Sequence, residues 1–444
     1  MTPFANDLTP LVSVLFGLSF FSPCVFAQNF TDAQIQLVVA RLADGAKQSW
    51  EIGTRAQALL ELNSPLYSVF SNTTLPPPTT VPASSSLPAN LSVITSIAQN
   101  TVSQLKNTTT SQPLVAGDGA AGDPASIGVA VLLANWTNAI EPIANSTNTN
   151  ATHTNGTHTN ETTTTVAAPS YAEAATDQLE FLLTSVPRTS DGAISHRVSQ
   201  VQLWSDFVYM APPFLAYYGV LNQNQSLIAE SYNQIKLYRN YLRDAKADNL
   251  WQHIVMGSGE DPGHWSTGNG WAASGILRVL ATIKHSNFAD QFQSEQTDLK
   301  NWAVEILNGM YSHSTKTHIF NNYADNSSTF SDSSSTALIA AATYRLALLT
   351  QTYHNLPNAE ASRKSLSDGS HLDSNGWLTP VVNPEDWSMS GSESPEGQAF
   401  VVEMQAAWQD WVAAGSPGAN SARKVATTLF SVVAVGIAIA LLAS

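Results

Sequence analysis

Apolar residues recur at spacings of three and four along most of the chain, the pattern of helices that bury one face. Between Tyr171 and Val186, the positions Ala172, Ala175, Leu179, Leu182, Leu183 and Val186 share a face, and Leu227, Ser231, Ile235, Tyr238 and Leu242 repeat the rhythm. Helices are also predicted at Gly270 to Ile283, Asp298 to Tyr311, Ser334 to Gln351 and Gln398 to Ala414, most of them preceded by Ser, Thr, Asp or Asn as a cap. Segments near Thr31 to Leu62, Pro88 to Leu105 and Asp123 to Trp136, with shorter stretches near Val208 and Ala359, bring the expectation to about eleven or twelve helices. No strand ladder is evident, so the predicted fold class is all-α. Short links holding Gly or Pro make neighbours antiparallel. A toroid of helical hairpins and a superhelix of stacked pairs share this local pattern, and no fixed-period repeat forces the superhelix.

Two stretches interrupt the helices. Ser71 to Leu87 is a Pro-rich connection, and Asn145 to Ala168 is nearly all Asn, Thr, His and Ala. Such a tract buries too little apolar surface to order itself, which predicts a glycosylated loop insertion over residues 145–168. Its His153 and His158 are expected to be solvated and not metal ligands.

The two ends predict processing. The apolar run from Leu11 to Phe26 followed by Ala27 reads as a signal peptide over residues 1–27. At the other end, Asn420, Ser421 and Ala422 are small, a short spacer follows, and Leu429 to Ala443 are apolar. That order predicts a glycosylphosphatidylinositol signal over residues 421–444, attached at Asn420, with Gly418 or Ser416 as alternatives. As a retained helix the 15 apolar residues would span roughly 22 Å, short of a hydrocarbon core of roughly 30 Å. Asn-X-Ser/Thr triplets open at Asn29, Asn72, Asn90, Asn107, Asn135, Asn145, Asn150, Asn155, Asn160, Asn224 and Asn326. Together these predict a monomeric glycoprotein outside the cell, on the plasma membrane or in the wall. It would be tied to the membrane by the lipid or the apolar tail, with residues 28–420 as its folded body.

Charge and cysteine content remove whole classes of function. The 34 acidic against 19 basic side chains give a formal charge of −15, which excludes a nucleic-acid partner. The single Cys24 lies in the leader, so disulfide frameworks, zinc knuckles and thiol nucleophiles are excluded. Neither a cofactor nor a metal is expected.

Chemistry concentrates in two blocks. Gln202-Leu203-Trp204-Ser205-Asp206-Phe207-Val208-Tyr209-Met210-Ala211-Pro212-Pro213-Phe214 sets one carboxylate among aromatic and apolar side chains, where desolvation would hold its proton. A helix N-cap is the competing role for Asp206. The second block holds His253 and then Asp261-Pro262-Gly263-His264-Trp265-Ser266-Thr267-Gly268-Asn269-Gly270-Trp271. Indole faces beside polar groups suit a sugar ring, whose C–H face stacks and whose hydroxyls seek hydrogen bonds, although tryptophans capping a helix pair would give the same composition.

Both blocks resemble the signature motifs of the six-hairpin glycosidases of families 88 and 105, the unsaturated glucuronyl and rhamnogalacturonyl hydrolases. The resemblance covers Thr31 to about Ala414. It implies an (α/α)6 barrel with a pocket at its mouth and an oligosaccharide substrate bearing a terminal 4,5-unsaturated uronic acid. Such enzymes hydrate the vinyl-ether double bond in place of attacking the anomeric carbon. By the same resemblance Asp206 protonates C4 and activates the water that adds at C5. Asp123, in Gly122-Asp123-Pro124-Ala125-Ser126-Ile127-Gly128, matches a second family aspartate. Trp204, Met210, His253, His264, Trp265, Asn269 and Trp271 become candidate substrate-binding residues. One departure stands out: Ser266-Thr267 occupies the place where family members carry an Arg or Gln that grips the substrate carboxylate. Arg188 and Arg197, outside the motifs, are the nearby cations. Two other functions fit the same barrel. One is an inverting glycosidase of cell-wall mannan pairing Asp206 with Asp261, Glu260, Glu393 or Glu396. The other is a catalytically silent glycan-binding wall protein.

Overall fold

The computed structural model describes residues 29–71, 91–139 and 168–419. The leader with Cys24, the insertion with His153 and His158, the apolar tail with Asn420, and Asn72, Asn90, Asn145, Asn150, Asn155 and Asn160 lie outside the described residues.

Thirteen α-helices occur among the described residues. In chain order they are α1 (Asp32–Gly45), α2 (Ser49–Asn63), α3 (Leu91–Val102), α4 (Gly128–Trp136), α5 (Tyr171–Glu180), α6 (Phe207–Met210) and α7 (Pro212–Leu221). Then come α8 (Gln225–Leu242), α9 (Ser266–Lys284), α10 (Gln293–Ser312), α11 (Ser333–Thr350), α12 (Leu356–Leu366) and α13 (Pro395–Ala413). Thr31 to Leu62 divides at Ala46–Gln48, and the stretch near Val208 becomes the single turn of α6 followed by α7, whose first position is Pro212. The caps follow the polar residues that precede the helices. Thr31 and Ser170 form capping boxes with Gln34 and Glu173, and Asp332 and Ser394 accept backbone N–H groups at the starts of α11 and α13.

Burial sorts the helices into two rings. In α9 every residue from Ser266 to Ile283 is buried, and α11 exposes little more. A helix apolar all round needs neighbours on every side. The sequence α2, α4, α7, α9, α11, α13 supplies them, each packing on the next and α13 closing on α2. That closure selects the toroid over the superhelix, a choice the periodicity leaves open. The outer helices bury one face only: in α8, Leu227, Ser231, Ile235, Tyr238 and Leu242 all face inward, as their spacing predicts. Around the outside, α3 packs on α2 and α4, α5 on α4, α8 on α7, α10 on α9 and α11, α12 on α11 and α1 on α13. The result is an (α/α)6 barrel of six outer-then-inner hairpins. Gly275 allows a close backbone approach within it, since a Cβ there would lie 2.2 Å from the Val208 carbonyl oxygen.

The expectation of no strands needs correction. Three two-stranded antiparallel ladders are present: β1 (Leu203–Trp204) with β2 (Ile254–Val255), β3 (Phe320–Asn321) with β4 (Ser331–Asp332), and β5 (Val381–Asn383) with β6 (Asp386–Gly391). Most are two or three residues long, too short for alternation to register in the sequence. All lie in loops that lead from an outer helix to an inner one. Those loops, with the N-terminal ends of the inner helices, form one mouth of the barrel.

Candidate active site

A cavity of about 210 Å³ opens at that mouth. Trp50 comes from the start of α2, Asp123 from the 3-10 turn leading into α4, and His196, Arg197, Trp204, Asp206 and Met210 from the segment around β1 and α6. His253, Trp265 and Trp271 come from the approach to α9 and its first turns, while Pro384, Glu385, Trp387 and Glu396 come from the β5–β6 hairpin and the start of α13. Both sequence blocks therefore meet in one chamber, and Asp206 shares it with Trp265 and Trp271.

Asp206 holds the N-cap position of α6, but its side chain makes no capping hydrogen bond, which sets aside the structural role weighed for it. Its Oδ2 accepts from Ser205 Oγ at 3.2 Å and lies 3.6 Å from His253 Nε2. The side chain keeps 14% exposure, through the cavity. Burial raises its pKa above the ordinary carboxylate value, and neither the pull that a charged His253 ring would exert nor the hydrogen bonds from its own backbone N–H and Ser205 cancel that.

Two more carboxyls share the chamber. Asp123 is 8% exposed, its Oδ1 lies 3.9 Å from His196 Nε2, and its pKa is pushed well up by burial and then by Asp118 and Asp206, with Arg197 pulling down. Glu396 accepts from Trp50 Nε1 at 2.8 Å, and burial followed by the charge of Glu51 lifts it well above the usual range. Three acids in one small space cannot all ionise cheaply, and burial pushes each of them up. His196 is driven the other way, to about 3, by burial, Arg197 and His253, so it stays neutral there.

The walls are indole. Trp204 stacks on His196 at 4.7 Å and meets Trp387 edge-on at 5.2 Å. Trp265 lies 4.5 Å from the His253 ring, and Asn322 ties the wall together by accepting from Trp265 Nε1 and donating to the Trp387 carbonyl. Trp271, 1% exposed and packed on Tyr209 and Phe400, closes the floor with Met210. Arg197 lays its guanidinium 5.0 Å from the Trp204 ring centre and donates no side-chain hydrogen bond to any described residue.

Two of the proposed wall residues are elsewhere. Asn269 is fully buried and braces the loop: its Oδ1 accepts from Trp251 N, and its Nδ2 donates to the carbonyls of Trp251 and Trp265. His264 turns away from the cavity to Asp325, 2.7 Å from Nδ1, with Asp244 3.7 Å from Nε2. Among the alternative second carboxylates, Asp261 binds His253, Tyr323 OH and Gly263 N, Glu260 is occupied by Met256 N, Glu393 is exposed, and Glu396 lines the cavity. Ser266 and Thr267 are fully buried and bonded to Asn321 O and Asp332, so the position where the family resemblance leads one to expect a carboxylate-gripping Arg or Gln is closed here. Arg188 serves Glu230 and loop carbonyls, which leaves Arg197 as the cation of the chamber.

Trp50, His196, Pro384, Glu385 and Trp387 went unrecognised in the sequence. Trp387 carried the one usable local signal, an indole in the acidic loop Pro384-Glu385-Asp386. Trp50 reaches the site only through ring closure, whereas His196 is brought there by the local fold of the segment before β1, where its N–H donates to the Gln202 carbonyl and its ring stacks on Trp204.

Comparisons with known proteins show the family and the fold. The model of Glycosyl Hydrolase Family 88 matches residues 133–385. A curated relative, the unsaturated rhamnogalacturonyl hydrolase YesR of Bacillus subtilis, is 26% identical over 129 residues, 27% of this chain. The match spans 37% of that relative's length. Among solved structures, a possible member of the GH105 family from Salmonella enterica has a TM-score of 0.60 at 15% identity, covering 85% of this chain and 92% of the other. A family 88 glycosyl hydrolase from Bacteroides vulgatus has a TM-score of 0.58 at 11% identity, covering 85% and 99%. At these identities the structural likeness is one of fold.

Proposed function

The chain belongs to Glycosyl Hydrolase Family 88, and on that premise we propose that it removes a terminal 4,5-unsaturated uronic acid from an oligosaccharide by hydrating its double bond. One observation carries the proposal: a buried carboxyl whose pKa is raised by desolvation, Asp206, in a chamber walled by indoles beside a guanidinium that donates no side-chain hydrogen bond to any described residue. The chamber is smaller than the roughly 300–1,000 Å³ of sites for drug-sized ligands, which suits a single sugar ring with the rest of the chain outside. The named substrate of the curated relative is of the same class.

The chemistry follows from the arrangement. The ring oxygen pushes electron density toward C4, Asp206 delivers its proton there, and positive charge develops at C5. Water adds at C5 and returns a proton to Asp206. The resulting hemiketal opens and the remaining sugar leaves. One group acts first as acid and then as base, which a raised pKa serves in both steps. Arg197 offers paired N–H donors to the carboxylate on C5. The N-terminal ends of the inner helices point at the same mouth and add positive potential, which offsets locally the formal charge of −15.

The inverting alternative now has a specific second carboxyl in Glu396. Loss of absorbance alone does not separate the two reactions, because a sugar released by attack at the anomeric carbon opens from its free hemiacetal to an enol, which becomes the ketone. A carbon-linked analogue, with the anomeric oxygen replaced by CH2, does separate them: hydration consumes its double bond, whereas hydrolysis at the anomeric carbon cannot act on it. Incubation with lyase-generated pectin, glycosaminoglycan and glucuronan fragments, followed by double-bond absorbance, finds the substrate class, and the carbon-linked analogue of that substrate tests the proposal. Consumption of the oxygen-linked substrate with the analogue left intact supports inversion by Asp206 and Glu396.

We also propose export to the cell surface with a lipid anchor at Asn420. The sequence signals support it, and so does the exposure of Asn107, Asn135, Asn224 and Asn326, where a glycan meets no packed neighbour. Asn29 is half-buried and accepts from Arg363, a poorer acceptor site. No helix among the described residues is long and apolar enough to cross a membrane. Glycosidase digestion and phospholipase release from intact cells test both halves.

A further inference from the structure

His253 is the most constrained polar side chain in the chamber. Its side chain is 0% exposed, and its ring sits among Trp204, Trp265 and Trp387 with centroids 5.4, 4.5 and 4.9 Å away. Those indoles offer it no acceptor and leave no room for the ring to turn. Nδ1 lies 3.0 Å from Asp261 Oδ2, whereas Nε2 is buried without a hydrogen-bond partner and faces Asp206 Oδ2 at 3.6 Å.

Asp261 is fixed in turn. Its Oδ2 also accepts from Tyr323 OH at 2.6 Å, and its Oδ1 accepts from Gly263 N at 3.0 Å. Burial alone would raise Asp261, but the hydrogen bonds from His253 and Tyr323 outweigh it and hold the group below its ordinary value. An ionised carboxylate only accepts, so Nδ1 must be the donor, and in the neutral ring Nε2 is then the bare nitrogen.

The geometry points to Asp261 and Tyr323 as positioning residues that act on Asp206 through His253, holding the ring hydrogen on Nδ1 so that the Nε2 lone pair faces the acid. The inference rests on the proposed hydration at Asp206 and adds how its proton is kept. A lone pair facing a carboxyl favours the protonated form, whereas a charged ring would pull the acid down. After Asp206 has given its proton to C4, the same lone pair disfavours the bare carboxylate and speeds recovery of a proton from the adding water. The protein keeps no net proton over the cycle. The other ionisable groups facing this pair are His196, Arg197, Asp123 and Glu396, and Asp261→Asn leaves all four in place.

In Asp261→Asn the Gly263 N–H, fixed by the backbone, selects the amide oxygen and turns the amide nitrogen toward Nδ1. That moves the ring hydrogen to Nε2, where it donates to Asp206 and stabilises the carboxylate. The expected result is a fall in kcat of about 10–100-fold, the scale seen where a carboxylate orienting a metal-bound histidine is removed. The alkaline limb of the pH profile moves to lower pH, which a purely structural defect would not cause. The direct test needs no turnover: ¹⁵N–¹H spectra of the histidine-labelled full chain, with the His253 signals identified by their loss in His253→Gln. The wild type should show Nδ1 protonated and Nε2 bare, and Asp261→Asn should exchange them. Hydrogen on Nε2 in the wild type overturns the inference whether or not the variant folds. An unchanged tautomer together with an unchanged alkaline limb in a folded Asp261→Asn also overturns it. If the wild type shows the expected spectrum but consumes no unsaturated substrate, the proposed function fails while the assignment of the relay's geometry stands.

Discussion

Arg197→Met removes the chamber's cation while keeping an apolar stem against Trp204. The guanidinium lies 5.0 Å from that ring and makes no side-chain hydrogen bond or salt bridge to a described residue, so the change costs only that ring contact and the pull on Asp123. A hydrogen bond to a charged group contributes roughly 1.5–3 kcal/mol, or about 10–150-fold in affinity. Arg197 is half-buried and solvent screens part of that, which places the expected rise in KM near the lower end, about 10-fold. The carboxylate is bound alike before and during protonation of C4, so kcat should change far less than KM. The assay is the initial rate of double-bond loss against substrate concentration, run in parallel on the methyl ester of the same unsaturated sugar. Wild type and variant should converge on the ester, which has no charge to grip. An unchanged KM on the acid, or an equal loss on acid and ester, refutes the role given to Arg197.

Asp206→Asn should abolish double-bond consumption, with kcat down by at least about 10²–10⁴-fold, while circular dichroism and melting stay near wild type. The rate should fall as pH rises through the raised value of Asp206, because the acid must start protonated; a rate that climbs steadily into alkaline pH contradicts this. Asn269→Ala should lower the melting temperature by several degrees, since it leaves the Trp251 N–H and carbonyl without the Asn269 side chain at about 1–3 kcal/mol for a buried donor, and KM should change little in the protein that stays folded. Deeper in the barrel, burial and then Glu61 push Glu403 up to about 8, so its contribution to stability is present below the ordinary carboxylate range and is lost as pH rises through about 8. Glu403→Gln should flatten part of that alkaline loss of melting temperature, and an identical pH slope in the two proteins would count against it.

How much of this was legible in the sequence depended on distance along the chain. Trp204, Asp206 and Met210 lie within seven residues of one another, and Trp265 and Trp271 within another seven, so their local composition exposed them. Trp50 and Glu396 are 346 positions apart and meet only because α13 closes the ring on α2. Periodicity found the helices but left toroid and superhelix open, because ring closure is a long-range property. Asn269 and His264 were misplaced for a different reason. A polar side chain in an aromatic loop serves equally to face a ligand or to satisfy buried backbone groups, and composition does not say which way it points. The short β ladders escaped because two residues carry no alternation.

Reaction of a carbon-linked analogue of the unsaturated substrate in deuterated water, followed by NMR, tests the central claim most directly. Hydration by Asp206 predicts one deuteron bonded to C4 and no remaining double bond in the product, with neither seen for Asp206→Asn. An analogue that retains its double bond and carries no deuterium on carbon, under conditions where the oxygen-linked substrate is consumed, would contradict hydration outright.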